Sequence, residues 1–290
     1  MKENEQKKKK PTIFKLFLIP LITIMLIQSV ITIGTLVVRR TTGMLEEYSS
    51  SMMSRLVENR KVILQNDMNQ RWAMIHDREA HLDGVLEQFL AEEDISLEEL
   101  LYSGEMKNLL LEQFFPECLE LLQNNSSTGI FLILTGAQME EAADYDGFFI
   151  RDSDPDTNPA NNSDLLLERG SKQLSRTWNI PLDTNWTTRF SMDGQGKNDA
   201  DCFFYEPWRA GRDYADANVV DLGYWSLPFF LEKGRADSYE MITYSLPLRH
   251  NGQVYGVLGV EISSRRLYDY FPVEELNNTQ QSGYLLAVRQ

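Results

Sequence analysis

Between Leu16 and Val38 the chain runs for 23 residues without a single charged side chain. Wound as a helix, that run is about 34 Å long, enough to cross a hydrocarbon core of about 30 Å. A cleaved signal peptide has a shorter apolar core closed by a small-residue cleavage site, whereas this run ends on Arg39 and Arg40. Residues 16–38 therefore read as a retained transmembrane helix. Residues 1–40 hold eight Lys/Arg and two Glu, with Lys7, Lys8, Lys9 and Lys10 in one block. They contribute +6 to a formal net charge of −15, so residues 41–290 carry −21. Basic flanks stay in the cytoplasm, which places a basic tail (1–15) inside and residues 41–290 outside the cell membrane. A domain so acidic is a poor partner for nucleic acid or for anionic lipid.

The outer part is long enough to bury its own core without disulfides, and it has only Cys118 and Cys202. They could form one bridge or remain two buried thiols. From Arg39 to Leu90 there is no proline, and apolar residues recur at threes and fours: Met53, Val57, Leu64, Met68, Trp72, Ile75, Leu82, Leu86 and Phe89. That spacing predicts a long stalk helix, 39–95, packing its stripe on its own domain. Leu45, Met52 and Leu56 offer a second seam, through which the stalk is expected to form a homodimer; Asn59 and Asn66 keep any coiled coil there short.

Ser96-Leu97-Glu98-Glu99 is a capping-box signature for the next helix, which is expected to break near Ser103-Gly104 and to run to about Leu122. Two strands follow, Gly129–Leu134 and Gly147–Arg151. Residues 152–220 are rich in Asp, Asn, Pro and Gly and signal little regular structure beyond a helix over 163–176. A further strand is expected over 223–230. Tyr239–Arg249 and Gln253–Ser263, joined across Asn251-Gly252, read as a long hairpin. A short helix (264–270) stops at Pro272, and residues 283–288 look like one more strand. The fold class is α+β.

No nucleophile–base pair, phosphate loop or cysteine-pair motif is present, and the three histidines (His76, His81, His250) do not have ligand spacing. Asp152-Ser153-Asp154-Pro155-Asp156 begins like a calcium loop but has Thr157 where glycine is needed and Ser163 where the bidentate Glu belongs, so it reads as an Asx/Pro turn. No cofactor is expected, and the chain does not read as an enzyme. Aromatic residues crowd a region poor in aliphatic ones, and loops lined by rings and a few charges are how small-molecule pockets are built. Trp178, Tyr205, Trp208, Tyr224 and Trp225 are the candidate lining residues. Arg151, ending an apolar strand, could meet a ligand carboxylate or an acidic neighbour. Glu261, in the apolar strand 254–263, must be exposed, paired with a protein cation, or placed to receive a cationic ligand group. Gly259, two residues before it, would leave open space, and Tyr244 on the neighbouring strand could provide a ring wall for the same cation.

Gly147–Pro155, Tyr224–Phe229, Met241–Leu248 and Val254–Ser263, following an anchor and a long helix, together resemble the double Cache sensor family. The resemblance covers roughly residues 39–290. It implies a PAS-like, antiparallel-sheet membrane-distal lobe over 96–271, closed by the final hairpin. It also implies the start of a membrane-proximal lobe over 272–290, with a second span and a cytoplasmic output beyond. The expected function is extracellular small-molecule sensing for a transmembrane receptor. Chains of this style resemble GGDEF diguanylate cyclase receptors; hybrid histidine kinases and chemoreceptors are the alternative outputs. A membrane-tethered extracellular enzyme or an adhesion module is the reading from another class. Amino-acid-binding members carry spaced Tyr, Arg and Trp residues and an Asp on the last strand. Glu261 stands in the Asp place, but the Arg-x-Trp-Tyr portion has no clear counterpart, which puts an amino-acid ligand in doubt.

Overall fold

A computed structural model describes residues 13–136, 145–155, 162–186, 201–230, 238–276 and 283–284. Two units are present, residues 1–62 and 63–290. Helix α1 has the bounds Ile13–Glu93, so its residues up to Val62 belong to the first unit. The described part of that unit is helical throughout, and its apolar side chains are exposed, Ile24 and Leu26 among them, except the half-buried Leu56. Among the described residues, α1 is the one helix long and apolar enough to cross a membrane.

In the second unit, α1 buries Met68, Ile75, Leu82, Leu86 and Phe89, most of the stripe that its periodicity marks. The helix stops where Asp94 turns left-handed (φ 53°). Ser96 then caps α2 (Leu97–Tyr102), and both halves of the capping box form. Ser103 closes α2 and caps α3 (Gly104–Asn125), the break expected there. Helix α3 runs three residues past Leu122, to a left-handed Ser126.

The sheet comprises β1 (Gly129–Leu134), β2 (Asp146–Asp152), β3 (Leu165–Gly170), β4 (Leu182–Asn185), β5 (Tyr224–Trp225), β6 (Phe229–Phe230), β7 (Glu240–His250) and β8 (Gln253–Ser263). Its order is β4-β3-β2-β1-β8-β7-β5, with β6 also on β7, and every pairing except β3–β4 is antiparallel. The hairpin β7–β8 turns at Asn251 (φ 50°) and Gly252 (φ 82°), the positive φ pair that an Asn-Gly turn supplies. Helix α4 (Lys172–Trp178) follows β3, α5 (Cys202–Asp213) precedes β5, and α6 (Ser264–Asp269) follows β8.

Both faces of the sheet are covered, which is why β1 is apolar at every position rather than at every second one. Ile130, Leu132 and Leu134 join Phe148, Ile150, Leu246, Leu258 and Val260 in one core with α1 and α3. Phe131 and Ile133 join Phe149, Met241 and Val257 on the other face, with Phe203 and Phe204 of α5 and Phe229. Cys118 and Cys202 do not form a disulfide.

Three segments depart from the sequence reading. The helix expected over 163–176 is instead a short 3-10 turn, strand β3 and helix α4. Leu165 and Leu167 are buried in alternation, a period of two that is satisfied once β3 pairs with β2. Helix α5 lies in a stretch read as irregular. The strand over 223–230 is two short pieces separated at Ser226–Pro228. Asp152 Oδ1 accepts from the Asp154 amide at 2.9 Å, the Asx turn that its sequence suggests. Of the strand expected over 283–288 only residues 283 and 284 are described, and most of 272–290 lies outside the described residues.

Candidate functional site

Register builds the site. Gly129 on β1 stands opposite Arg151 on β2 and opposite Glu261 on β8, and Glu261 stands opposite Thr243 on β7. Directly opposed residues share a face, so Arg151, Gly129, Glu261 and Thr243 form one row across four strands. A cation and a carboxylate thus flank a residue without a side chain, two strand spacings apart, or about 10 Å. Tyr239, just before β7, spans the gap. Its hydroxyl donates to Glu261 Oε1 at 2.5 Å, and the Arg151 guanidinium lies 4.0 Å from its ring centroid.

Glu261 is fully buried. Thr128 Oγ1 also donates to Oε1, at 3.0 Å. Among the described residues, Oε2 has no hydrogen-bond partner, and neither do Thr243 Oγ1 and Ser245 Oγ, buried on the same face. Burial pushes the Glu261 carboxyl up to about 7; the nearby Glu168 adds to the rise, while Tyr239, Thr128 and Arg151 oppose it. Burial likewise raises the Tyr239 phenol far above its usual range, so its hydroxyl remains a donor. The row therefore holds a buried carboxylate with one oxygen committed and, among the described residues, no donor to the other. Such an oxygen is costly unless a donor arrives. A small cation or hydrogen-bond donor is the chemistry that fits.

The candidate residues divide between the two faces. Tyr224 pairs with Ser245 and so lies on the Glu261 face. Tyr244 pairs with Val260 and lies on the other, so it cannot wall a cation held by Glu261. It belongs to a ring cluster with Trp225 (5.2 Å) and Trp72 (5.7 Å), and its hydroxyl meets His76 Nε2 at 3.0 Å. Trp178 packs on Phe115 at 5.4 Å, also in the helix-covered core. On α5, Arg209 lies over Tyr205 and Arg212 over Trp208, at 5.5 and 4.7 Å. Trp208 and Arg212 line a cleft of about 370 Å³ beside Thr135 and Gly252, at the opposite end of β1 from Glu261. The space expected beside Gly259 is filled by the Phe131 ring, whose Cζ would stand 2.2 Å from a Cβ at that position. The glycine beside the Glu261 carboxylate is Gly129, not Gly259, and Oε2 lies 2.7 Å from where its Cβ would stand.

Gly129, Thr128, Tyr239 and Thr243 escaped the sequence reading. Their importance comes from the β1–β8 pairing of segments some 130 residues apart, which no local pattern announces. Each histidine has a separate partner: Tyr244 for His76, Glu117 for His81 (3.1 Å) and Asp83 for His250 (2.9 Å).

No protein-family model matches the chain, and comparison with curated proteins gives no match. Among solved structures, the chain is similar to an extracellular domain assigned to a histidine kinase, soHK1S-Z6, at 14% identity and a TM-score of 0.32, over 73% of this chain and 64% of that one. It is also similar to the periplasmic sensory domain of the Campylobacter jejuni chemoreceptor Tlp1, at 11% identity and a TM-score of 0.33, over 73% and 62%. A third is the ligand-binding domain of the Campylobacter jejuni chemoreceptor Tlp3 in complex with 4-methylisoleucine, at 15% identity and a TM-score of 0.28, over 70% and 62%. The chain spans less than two thirds of each of these structures, and no ligand or output is carried over from them.

Proposed function

We propose that residues 63–290 carry a sensing lobe for a small molecule with a cationic or donor-bearing group, held outside the cell by the apolar helix. The observation that carries this reading is Glu261: wholly buried, one oxygen saturated by Tyr239 and Thr128, the other without a partner among the described residues. A buried carboxylate left half-satisfied is a liability in a purely structural role, since an apolar residue would be tolerated better. It is useful where a ligand's donor completes it. Arg151 across Gly129 offers a place for an anionic group on the same ligand. We read the chain as a binding module and not an enzyme. The basic flank supports an inward N-terminus, and the Leu45–Met52–Leu56 seam supports a homodimer. On the family resemblance alone we assign a diguanylate cyclase output, with a hybrid histidine kinase or a chemoreceptor as the alternative. Signalling would be a population shift, limited by the ligand's differential affinity for two conformations.

The test is titration of the full chain in lipid nanodiscs with a panel of primary amines, diamines, neutral polyols and carboxylates. An amine should bind, and Glu261→Gln should weaken it by 10-fold or more, the equivalent of about 1.5–3 kcal/mol for a charged hydrogen bond. Equal affinity for the bound amine in wild type and variant, or binding confined to neutral or anionic compounds, would refute it.

A further inference from the structure

Thr128 lies at the entrance of β1, where the α3–β1 connection meets the end of β8. Its backbone N–H donates to the Glu261 carbonyl at 3.1 Å. Its hydroxyl has a single proton and two acceptors in reach, both on Glu261: the carboxylate Oε1 at 3.0 Å and the backbone carbonyl at 3.3 Å. Thr128 Oγ1 in turn accepts from the Ser263 amide at 2.8 Å. Ser263 is in turn the N-cap of α6, its Oγ accepting from the Arg266 amide at 3.3 Å.

Just past α6, Tyr270 donates its hydroxyl to Asp67 Oδ2 at 2.5 Å and receives Arg71 Nη2 at 3.3 Å. Arg71 is buried, bonds Asp67 through Nε at 2.6 Å, and donates from Nη1 to the Asn125 carbonyl. Asn125 lies three residues before Thr128, so the circuit closes on itself: Thr128, Ser263, α6, Tyr270, Asp67 and Arg71, Asn125. Packing follows the same route. Ile262, next to Glu261 and on the opposite face, is buried with Met68 of α1 and Leu267 of α6.

We propose that Thr128 is a positioning residue that reports the charge state of Glu261 to Asp67 and Arg71 of α1, through Ser263, α6 and Tyr270. While Glu261 is anionic, Oε1 holds the Thr128 proton, and the hydroxyl lone pairs face the Ser263 amide. When the charge is neutralised, the backbone carbonyl becomes the better acceptor. The hydroxyl then rotates, and the N-cap of α6 loses its fixed partner. From the preceding reading the proposal takes only that a ligand cation is what neutralises Glu261.

The experiment uses the full chain in nanodiscs and amide hydrogen exchange read by mass spectrometry, with Glu261→Gln as the neutral state. Exchange should speed several-fold at residues 263–270 and at 64–71. Thr128→Val should do the same alone, and the double variant should exchange no faster than either single one. Thr128→Ser, which keeps the hydroxyl, should match wild type. In Tyr270→Phe, the Glu261→Gln effect should persist at 263–267 and vanish at 64–71; this pair decides the matter if Thr128→Val does not fold. Additive effects in Glu261→Gln/Thr128→Val, or residues 64–71 unmoved by Glu261→Gln, would overturn the relay. Methylammonium and butylamine, added to wild type, separate the two readings. Failure of amines to bind, with exchange coupled as described, removes the ligand assignment and leaves the relay. Amine binding that depends on Glu261 without any change at 64–71 removes the relay and leaves the ligand assignment.

Discussion

Gly129 stands directly opposite Glu261 across the β1–β8 ladder, and a Cβ at Gly129 would lie 2.7 Å from Glu261 Oε2. The same Cβ would meet the Ile150 carbonyl at 3.1 Å, so the side chain can yield on one side only. Gly129→Ala is expected to push the carboxylate off Tyr239 and to destabilise the lobe by about 1–3 kcal/mol, as overpacked sites do. A urea titration measures the loss. Gly129→Ala/Glu261→Ala should recover much of it, because the clashing group is gone; no recovery would place the clash on the Ile150 carbonyl instead.

Glu261 gives the stability a pH signature. Its carboxyl titrates near 7 in the folded chain, against an ordinary 4.5, so the folded state holds the extra proton between those values. Stability from this group is therefore greatest below pH 4.5 and falls as pH rises through 7, by about 3 kcal/mol for full ionisation. Glu79, also raised to about 7 by burial and by Asp83, slopes the same way. The measurement is thus the difference in denaturation midpoint between wild type and Glu261→Gln across pH 4–8. The variant should gain on wild type as pH rises, and parallel curves would contradict this.

Trp225 lies on the helix-covered face of the sheet, opposite to that of Glu261. With Trp72 at 5.7 Å and Tyr244 at 5.2 Å, Trp225→Ala removes the middle of a ring cluster and should cost about 2–4 kcal/mol. Affinity for an amine bound at Glu261 should stay within two-fold at a temperature where the variant is folded. A large loss of affinity without loss of stability would move Trp225 into the site.

Topology can be read chemically. In a Cys202→Ser background, Asn218→Cys places an exposed thiol after α5. It should react with an impermeant maleimide in intact cells whose outer barrier is permeabilised. Reaction only after lysis, with the protein in the membrane fraction, would reverse the orientation.

The elements legible in the sequence are those whose signal is local. The Asn251-Gly252 turn, the capping box at Ser96 and the uncharged run each state their geometry within a few residues. Strand β3 was misread because Leu165-Leu166-Leu167 fits a helix as well as a strand until β2 supplies a partner. Helix α5 was hidden by Pro207 and Gly211, residues that argue against a helix, although both are buried against the sheet side of it. Glu261 was picked out because a carboxylate in so apolar a strand demands a reason. Its true neighbours were not, since Tyr244 and Thr243 differ by one residue and register alone decides which faces it. The aromatic candidates shared a stretch of sequence but not a face of the sheet.

Cys118, on α3, is wholly buried in the core that α3 shares with α1, where burial forces its thiol far above the usual range, while Cys202 opens α5 beyond the other face of the sheet. A thiol so reluctant to ionise neither attacks nor exchanges. The lobe therefore needs no bridge between these two cysteines to hold its fold, and Cys118 is kept from pairing wrongly with a thiol elsewhere.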